Sequence, residues 1–120
     1  MNDEIPVEIT SETDIAVVAF KATSISNSQG INAVSKQITG YIVEKHPTRL
    51  VFDFERVKFF SSQVLGLLLD IRSKLMAFGG ELVISAIDPQ LYRVFKITNL
   101  DRIFKFFPDK DSAVKAFSEV

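Results

Sequence analysis

Leu50-Val51-Phe52-Asp53-Phe54-Glu55-Arg56-Val57-Lys58-Phe59-Phe60-Ser61-Ser62-Gln63-Val64-Leu65-Gly66 is the stretch on which the reading of this chain turns. Residues 50–54 are apolar except at Asp53, the pattern of a central strand covered on both faces. Glu55-Arg56 turns the chain, and Ser61-Ser62 then stand at the mouth of a helix that runs to Gly79-Gly80, a natural C-terminal cap. A buried strand leading through two serines into a helix is the core of an α/β unit.

The pattern continues on both sides. Upstream, Ile5, Val7 and Ile9 alternate with Pro6, Glu8 and Thr10; Glu12-Thr13-Asp14 interrupts; and Ile15 to Phe20 is a β-branched run, so a two-stranded hairpin is expected. After the polar residues 23–30, Ile31, Val34, Ile38, Tyr41 and Ile42 recur at helical spacing and predict a helix from about Ser28 to Lys45, ending at His46-Pro47. Downstream, Leu82-Val83-Ile84 reads as a strand, and Asp88-Pro89 opens a helix with Leu91, Val94, Phe95 and Ile97 inward. Ile103 to Phe107 reads as a short strand, after which Asp111 is expected to cap the last helix. The order β-β-α-β-α-β-α-β-α implies one α/β domain: a mixed, mainly parallel sheet of about five strands with about four helices, over residues 5–120 behind a tail of residues 1–4.

Composition narrows the chemistry. The 120 residues carry 15 acids and 14 Lys+Arg, a net charge of −1, without the basic excess that phosphate-backbone binding needs, so nucleic acid is a poor partner. No cysteine and one histidine, His46, leave no thiol nucleophile, no cysteine-ligated metal and no imidazole pair. A core of 47% hydrophobic residues needs no disulfide or metal to support it. The acids and proline of the first ten residues do not read as a signal peptide, and Phe59 to Leu69 falls short of the ~20 residues that span a bilayer. A soluble, cytoplasmic protein without membrane insertion, cofactor or metal is the expectation.

Most single features have a plain structural meaning. Asp53 and Glu55, two apart, imitate a glycosidase carboxylate pair, but a carboxylate at a strand end more often fixes a loop. His46 reads as a solvated helix end, and Arg93, Lys96, Arg102 and Lys105 as a solvated surface diluted by Asp101. Phe52, Phe54, Phe59, Phe95 and Phe104 read as core. One of Ser61 and Ser62 is expected to cap the helix, while the other offers a hydroxyl at a helix end that tolerates negative charge. In that helix Val64, Leu68, Ile71, Leu75 and Phe78 form one apolar stripe; Leu65, Leu69 and Met76 form a second, interrupted by Arg72. Either both stripes are covered internally, the commoner case, or the edge of the second is left for a partner.

These segments resemble the STAS domain, found in bacterial anti-sigma factor antagonists and in the cytoplasmic part of sulfate transporters. Arg49 to Phe54 is similar to that family's central strand, Phe59 to Gly66 to its characteristic loop, Gly79-Gly80-Glu81-Leu82 to its next turn, and Phe95 to Phe104 to the segment before its last strand. In phosphorylatable antagonists the loop reads Asp-Ser-Ser-Gly or a near variant, and the first serine after the acid is modified by an anti-sigma factor that is also a serine kinase. That position falls on Ser62; Ser61 replaces the acid, and Gln63-Val64 replaces the usual Ser-Gly or Ala-Gly.

The resemblance implies a non-enzymatic partner switch, with an anti-sigma factor/serine kinase and a serine phosphatase as partners. Ser61, Ser62, Gln63, Leu65, Leu69 and Arg72 are its implied contact residues and Ser62 its phosphoacceptor. A constitutive STAS-type scaffold or accessory subunit, in a multi-protein sensor or beside a lipid transporter, is the alternative. A nucleotide- or small-molecule-binding domain is a third reading.

Overall fold

The computed structural model describes residues 5–12 and 14–118; the expected tail of residues 1–4, Thr13 of the expected interruption between the first two strands, and residues 119–120 of the expected domain lie outside them. Strands β1 (Val7–Glu12) and β2 (Ile15–Phe20) form the antiparallel hairpin, registered from Val7 opposite Phe20 to Glu12 opposite Ile15. Then follow β3 (Ser24–Ile25), α1 (Ser28–Lys45), β4 (Arg49–Asp53), β5 (Phe59–Phe60), α2 (Gln63–Met76), β6 (Glu81–Ser85), α3 (Pro89–Ile97), a 3-10 turn (Leu100–Arg102), β7 (Lys105–Phe107) and α4 (Lys110–Ser118). The main sheet has the order β1-β2-β4-β6-β7, parallel from β2 onward. This is the mixed, mainly parallel five-stranded sheet with four helices that the alternation of elements implies.

Successive parallel strands advance in one direction across the sheet, so right-handed crossovers put α1, α2 and α3 on one face. The strand period of two then divides the core. Leu50, Phe52 and Phe54 point to the three-helix face with Ala16, Val18, Phe20, Leu82 and Ile84, meeting Ile38 of α1, Leu68 of α2 and Phe95 of α3. Val51 points to the other face with Ile15, Val17 and Val83, where Ala113 and Phe117 of α4 cover it. Arg49 fastens that second layer: its guanidinium donates to the Phe117 carbonyl at 2.7 Å and lies 5.4 Å from the Phe117 ring centroid.

Helix ends follow local chemistry. Asn27 caps α1 by accepting the Gly30 N–H at 2.8 Å, and Asp88 caps α3 by accepting that of Gln90 at 2.9 Å. Helix α2 closes where Gly79 adopts φ +82° and the Gly80 N–H donates to Leu75 O at 2.7 Å. A Cβ on Gly80 would stand 2.9 Å from that same oxygen, so the second glycine answers to space rather than to dihedral angle. At α4 the cap is Asp109, not Asp111: Asp109 accepts the Ser112 N–H at 2.7 Å, and the Ser112 N–H and hydroxyl hold its carboxyl below the ordinary aspartate range.

Four further expectations need correction. Ile97 is exposed: the inward line of α3 runs through Leu91 and Phe95, and a position two beyond Phe95 turns to the opposite side. Phe59 is also exposed, because in β5 it alternates with Phe60, which takes the inward side between Phe54 and Phe95 at ring distances of 5.9 and 6.0 Å. Ile103 closes the 3-10 turn instead of opening β7. Within the polar residues 23–30 lies β3, too short for a sequence period to reveal, paired in parallel with β5 through Ser24–Phe59 and Ile25–Phe60.

The contrast between a buried and an exposed phenylalanine makes a direct stability test. Phe54→Ala should cost about 3–5 kcal/mol in urea unfolding, whereas Phe59→Ala should change stability by less than about 0.5 kcal/mol. Comparable losses would show that Phe59 is packed.

Candidate functional site

The parallel pairing of β3 with β5 brings two connections together, the one entering α1 and the one entering α2. It continues one residue further, where the Ser61 N–H donates to Ile25 O at 2.9 Å. Both helices therefore start side by side, and Ser28, first residue of α1, donates its hydroxyl to the Gln63 side-chain oxygen at 2.8 Å. Ser62 stands between the anchored Ser61 and the clasped Gln63.

Neither serine caps α2, contrary to the capping expectation. Ser62 occupies the N-cap position but is already helical, at φ −58° and ψ −21°, and its side chain makes no capping bond. The first turn closes on backbone instead: Val64 N–H to Ser61 O and Leu65 N–H to Ser62 O, each 3.0 Å. The two serines then part in character. Ser62 is exposed and its hydroxyl makes no hydrogen bond among the described residues, while the Ser61 Oγ is buried without a hydrogen-bond partner among them.

The remaining implied contact residues divide by the helix period. Leu65 packs into the core beside Val64 and Leu68, so it lies beneath the surface rather than on it. Leu69 is exposed, and Arg72 is half-buried at its shoulder. The first apolar stripe is buried from Val64 to Leu75 but not at Phe78, and the second is covered only at Leu65. Of the two alternatives for the second stripe, Leu69 and Met76 take the open one.

The other candidates have structural roles. Asp53 is buried, accepts the Ser85 hydroxyl at 3.2 Å and the Glu55 N–H at 3.3 Å, and thereby fixes the turn after β4. His46 is the exposed, left-handed cap of α1, edge-on to Phe78 at 5.8 Å between ring centroids. Lys105 pairs with Glu81 at 3.7 Å. Among the described residues, no group of three or more His, Cys, Asp and Glu side chains is placed to hold a metal ion, and no helix is long and apolar enough to cross a membrane.

The STAS domain family model matches residues 7–113, and the chain belongs to that family, whose domains are regulatory, non-catalytic modules. Over 75 residues it is 32% identical to the protein named "Putative anti-sigma factor antagonist BtrV" of Bordetella bronchiseptica, a match spanning 62% of this chain and 65%, just under two thirds, of that protein. Its fold is that of the anti-sigma factor antagonist SpoIIAA in its unphosphorylated form (TM-score 0.85, 18% identity, 96% of this chain and 98% of the other). SpoIIAA of Bacillus in its phosphorylated form gives a TM-score of 0.74 at 20% identity, over 93% of this chain and 99% of the other. An anti-sigma factor antagonist from Mycobacterium paratuberculosis aligns with a TM-score of 0.82 and 25% identity, covering 97% and 96% of the two chains.

An unpaired buried hydroxyl has a measurable signature. Ser61→Ala should be neutral or stabilise the fold by up to about 1 kcal/mol in urea unfolding, because it removes a desolvated group and no hydrogen bond. A loss of 1 kcal/mol or more would mean that the hydroxyl is bonded.

Proposed function

We propose that this protein is a partner switch of the anti-sigma factor antagonist kind. In the unmodified state it docks on a kinase-type anti-sigma factor through the Ser62 loop and α2; phosphorylation of Ser62 releases it, and a serine phosphatase resets it. The observation that carries this reading is the state of Ser62: an exposed serine whose hydroxyl makes no hydrogen bond among the described residues, held at the start of a helix whose neighbouring residues are anchored on both sides. The likeness to BtrV and to SpoIIAA, itself solved with and without phosphate, supports the assignment.

The geometry suits release rather than refolding. A phosphate adds about −1.5 to −2 charges. At a helix N-terminus it is stabilised by ~0.3–1 kcal/mol at an exposed site, and here the Val64 and Leu65 N–H groups are already engaged by the tight first turn. Little therefore holds the phosphate down, and it projects toward a partner. A like charge or an unmatched anion in an interface costs several kcal/mol, and ~2.7 kcal/mol already weakens binding a hundredfold. Ser62, Gln63, Leu69 and Arg72 form the contact surface in this reading, with Ser61 and Leu65 supporting it from below.

The test is incubation with ATP and candidate serine-kinase anti-sigma factors, followed by mass spectrometry and calorimetry. Phosphate should appear on Ser62, and the phosphoprotein should bind its kinase at least a hundredfold more weakly than the unmodified chain. Ser62→Ala should bind like the parent and take no phosphate. Equal affinity of modified and unmodified protein would instead assign the chain to constitutive docking.

A further inference from the structure

Away from Ser62, the exposed side of α2 continues past Leu69 and Arg72 into a groove at the far end of the helix. Leu69 and Met76 are 36% and 54% exposed and seven residues apart, hence nearly in line and about 10 Å from each other along the helix. Arg72 lies between them at helical spacing. Arg72 and Met76, with Glu81, Ile103 and Lys105, line a groove of about 330 Å³ between the end of α2 and the start of β7. Ile103 supplies its far wall and is 42% exposed.

The charges in this groove do not balance. Glu81 is engaged by Lys105. Arg72 is half-buried, yet it has no hydrogen bond or ion pair among the described residues. A guanidinium without an acidic neighbour is well satisfied by a carboxylate gripped through two N–H groups, and arginine flanked by apolar side chains is the composition of an interface anchor. Methionine beside it adapts its shape to what it meets.

We propose that this groove and the adjoining surface of α2 receive an amphipathic helix of a partner protein, with a glutamate or aspartate paired to Arg72 and apolar side chains seated on Met76 and Ile103 in the groove and on Leu69 beside it. The proposal deepens the docking reading by naming the chemistry of the partner's surface; it rests on α2 as the docking helix and not on the modification of Ser62. A second copy of this chain fits less well. A two-fold contact would oppose one Arg72 groove to the other, and Glu81, the acid that lines it, is already paired.

The full-length, nitrogen-15-labelled chain is titrated with a synthetic helical peptide bearing leucines at i, i+4 and i+7 spacing and glutamates flanking them, and with the same peptide carrying glutamine in place of glutamate. The glutamate peptide should shift the backbone amides of Leu69, Arg72, Met76 and Ile103. The glutamine peptide should bind at least tenfold more weakly, as should the glutamate peptide to Arg72→Gln, whose thermal unfolding should match the parent. Arg72→Glu should in turn bind a lysine version of the peptide. Shifts confined to other surfaces, equal binding of the two peptides, or no binding at about 1 mM would each overturn the proposal. So would a dimer in sedimentation equilibrium that Ile103→Asp abolishes. No kinase or phosphate enters this measurement, so its failure and the failure of the Ser62 switch are separate results.

Discussion

Strand β4 is hydrogen-bonded along both edges and covered on both faces, and everything else is arranged around that fact. Parallel pairing to β2 and β6 satisfies its backbone; Leu50 and Phe52 fill the three-helix side while Val51 fills the α4 side. A strand so enclosed can carry a polar side chain only where a partner meets it. Asp53 has one in Ser85, its register neighbour on β6, and that bond sits where the chain must leave the sheet. The turn it fixes leads straight to β5 and the start of α2. The position of Ser62 is thus set by the rigidity of the sheet's centre, not by contacts that the serine makes.

Between sheet and site, the two-residue pairing of β3 with β5 is the mechanical link. It buries Ile25 and Phe60 and leaves Phe59 and Ser62 outside. The connection can be held by so few residues because Phe60 is set into a chain of ring contacts with Phe54 and Phe95, reaching on to Phe104. A site anchored in this way rests on a fold that keeps its packing when the surface charge above it changes, which is what the proposed switch at Ser62 requires.

The long elements were legible in the sequence because burial on one or two faces leaves a period: α1 runs over Ser28–Lys45 as its spacing predicts, and the hairpin and central strand fall where alternation and apolar density put them. What escaped was decided over two or three residues. The β3–β5 pairing has no period to read; Phe59 and Phe60 look alike until alternation assigns one of them outward. At the two helix starts, Asp109 and Asp111 are equally good caps in composition, and at Ser61-Ser62 the tight backbone turn displaced the side-chain bond that two serines suggest. Within the candidate site the placement of Ser61-Ser62 at the mouth of α2 was legible in the sequence, whereas the burial of Leu65 and the isolation of Arg72 among the described residues required the packing of α2.

The division of the core into a large cluster and a small one has a consequence for how the chain is made. Strands β2, β4 and β6 and the three crossover helices bury the large cluster among themselves, but Ile15, Val17, Val51 and Val83 gain most of their cover from α4, with Phe107 of β7 beside it. Until Phe117 has reached Arg49, the nascent domain shows an apolar sheet face to its surroundings. The last turns of α4 therefore seal the domain, and a chain in which they have not docked exposes an apolar face of the kind that chaperones and proteases recognise.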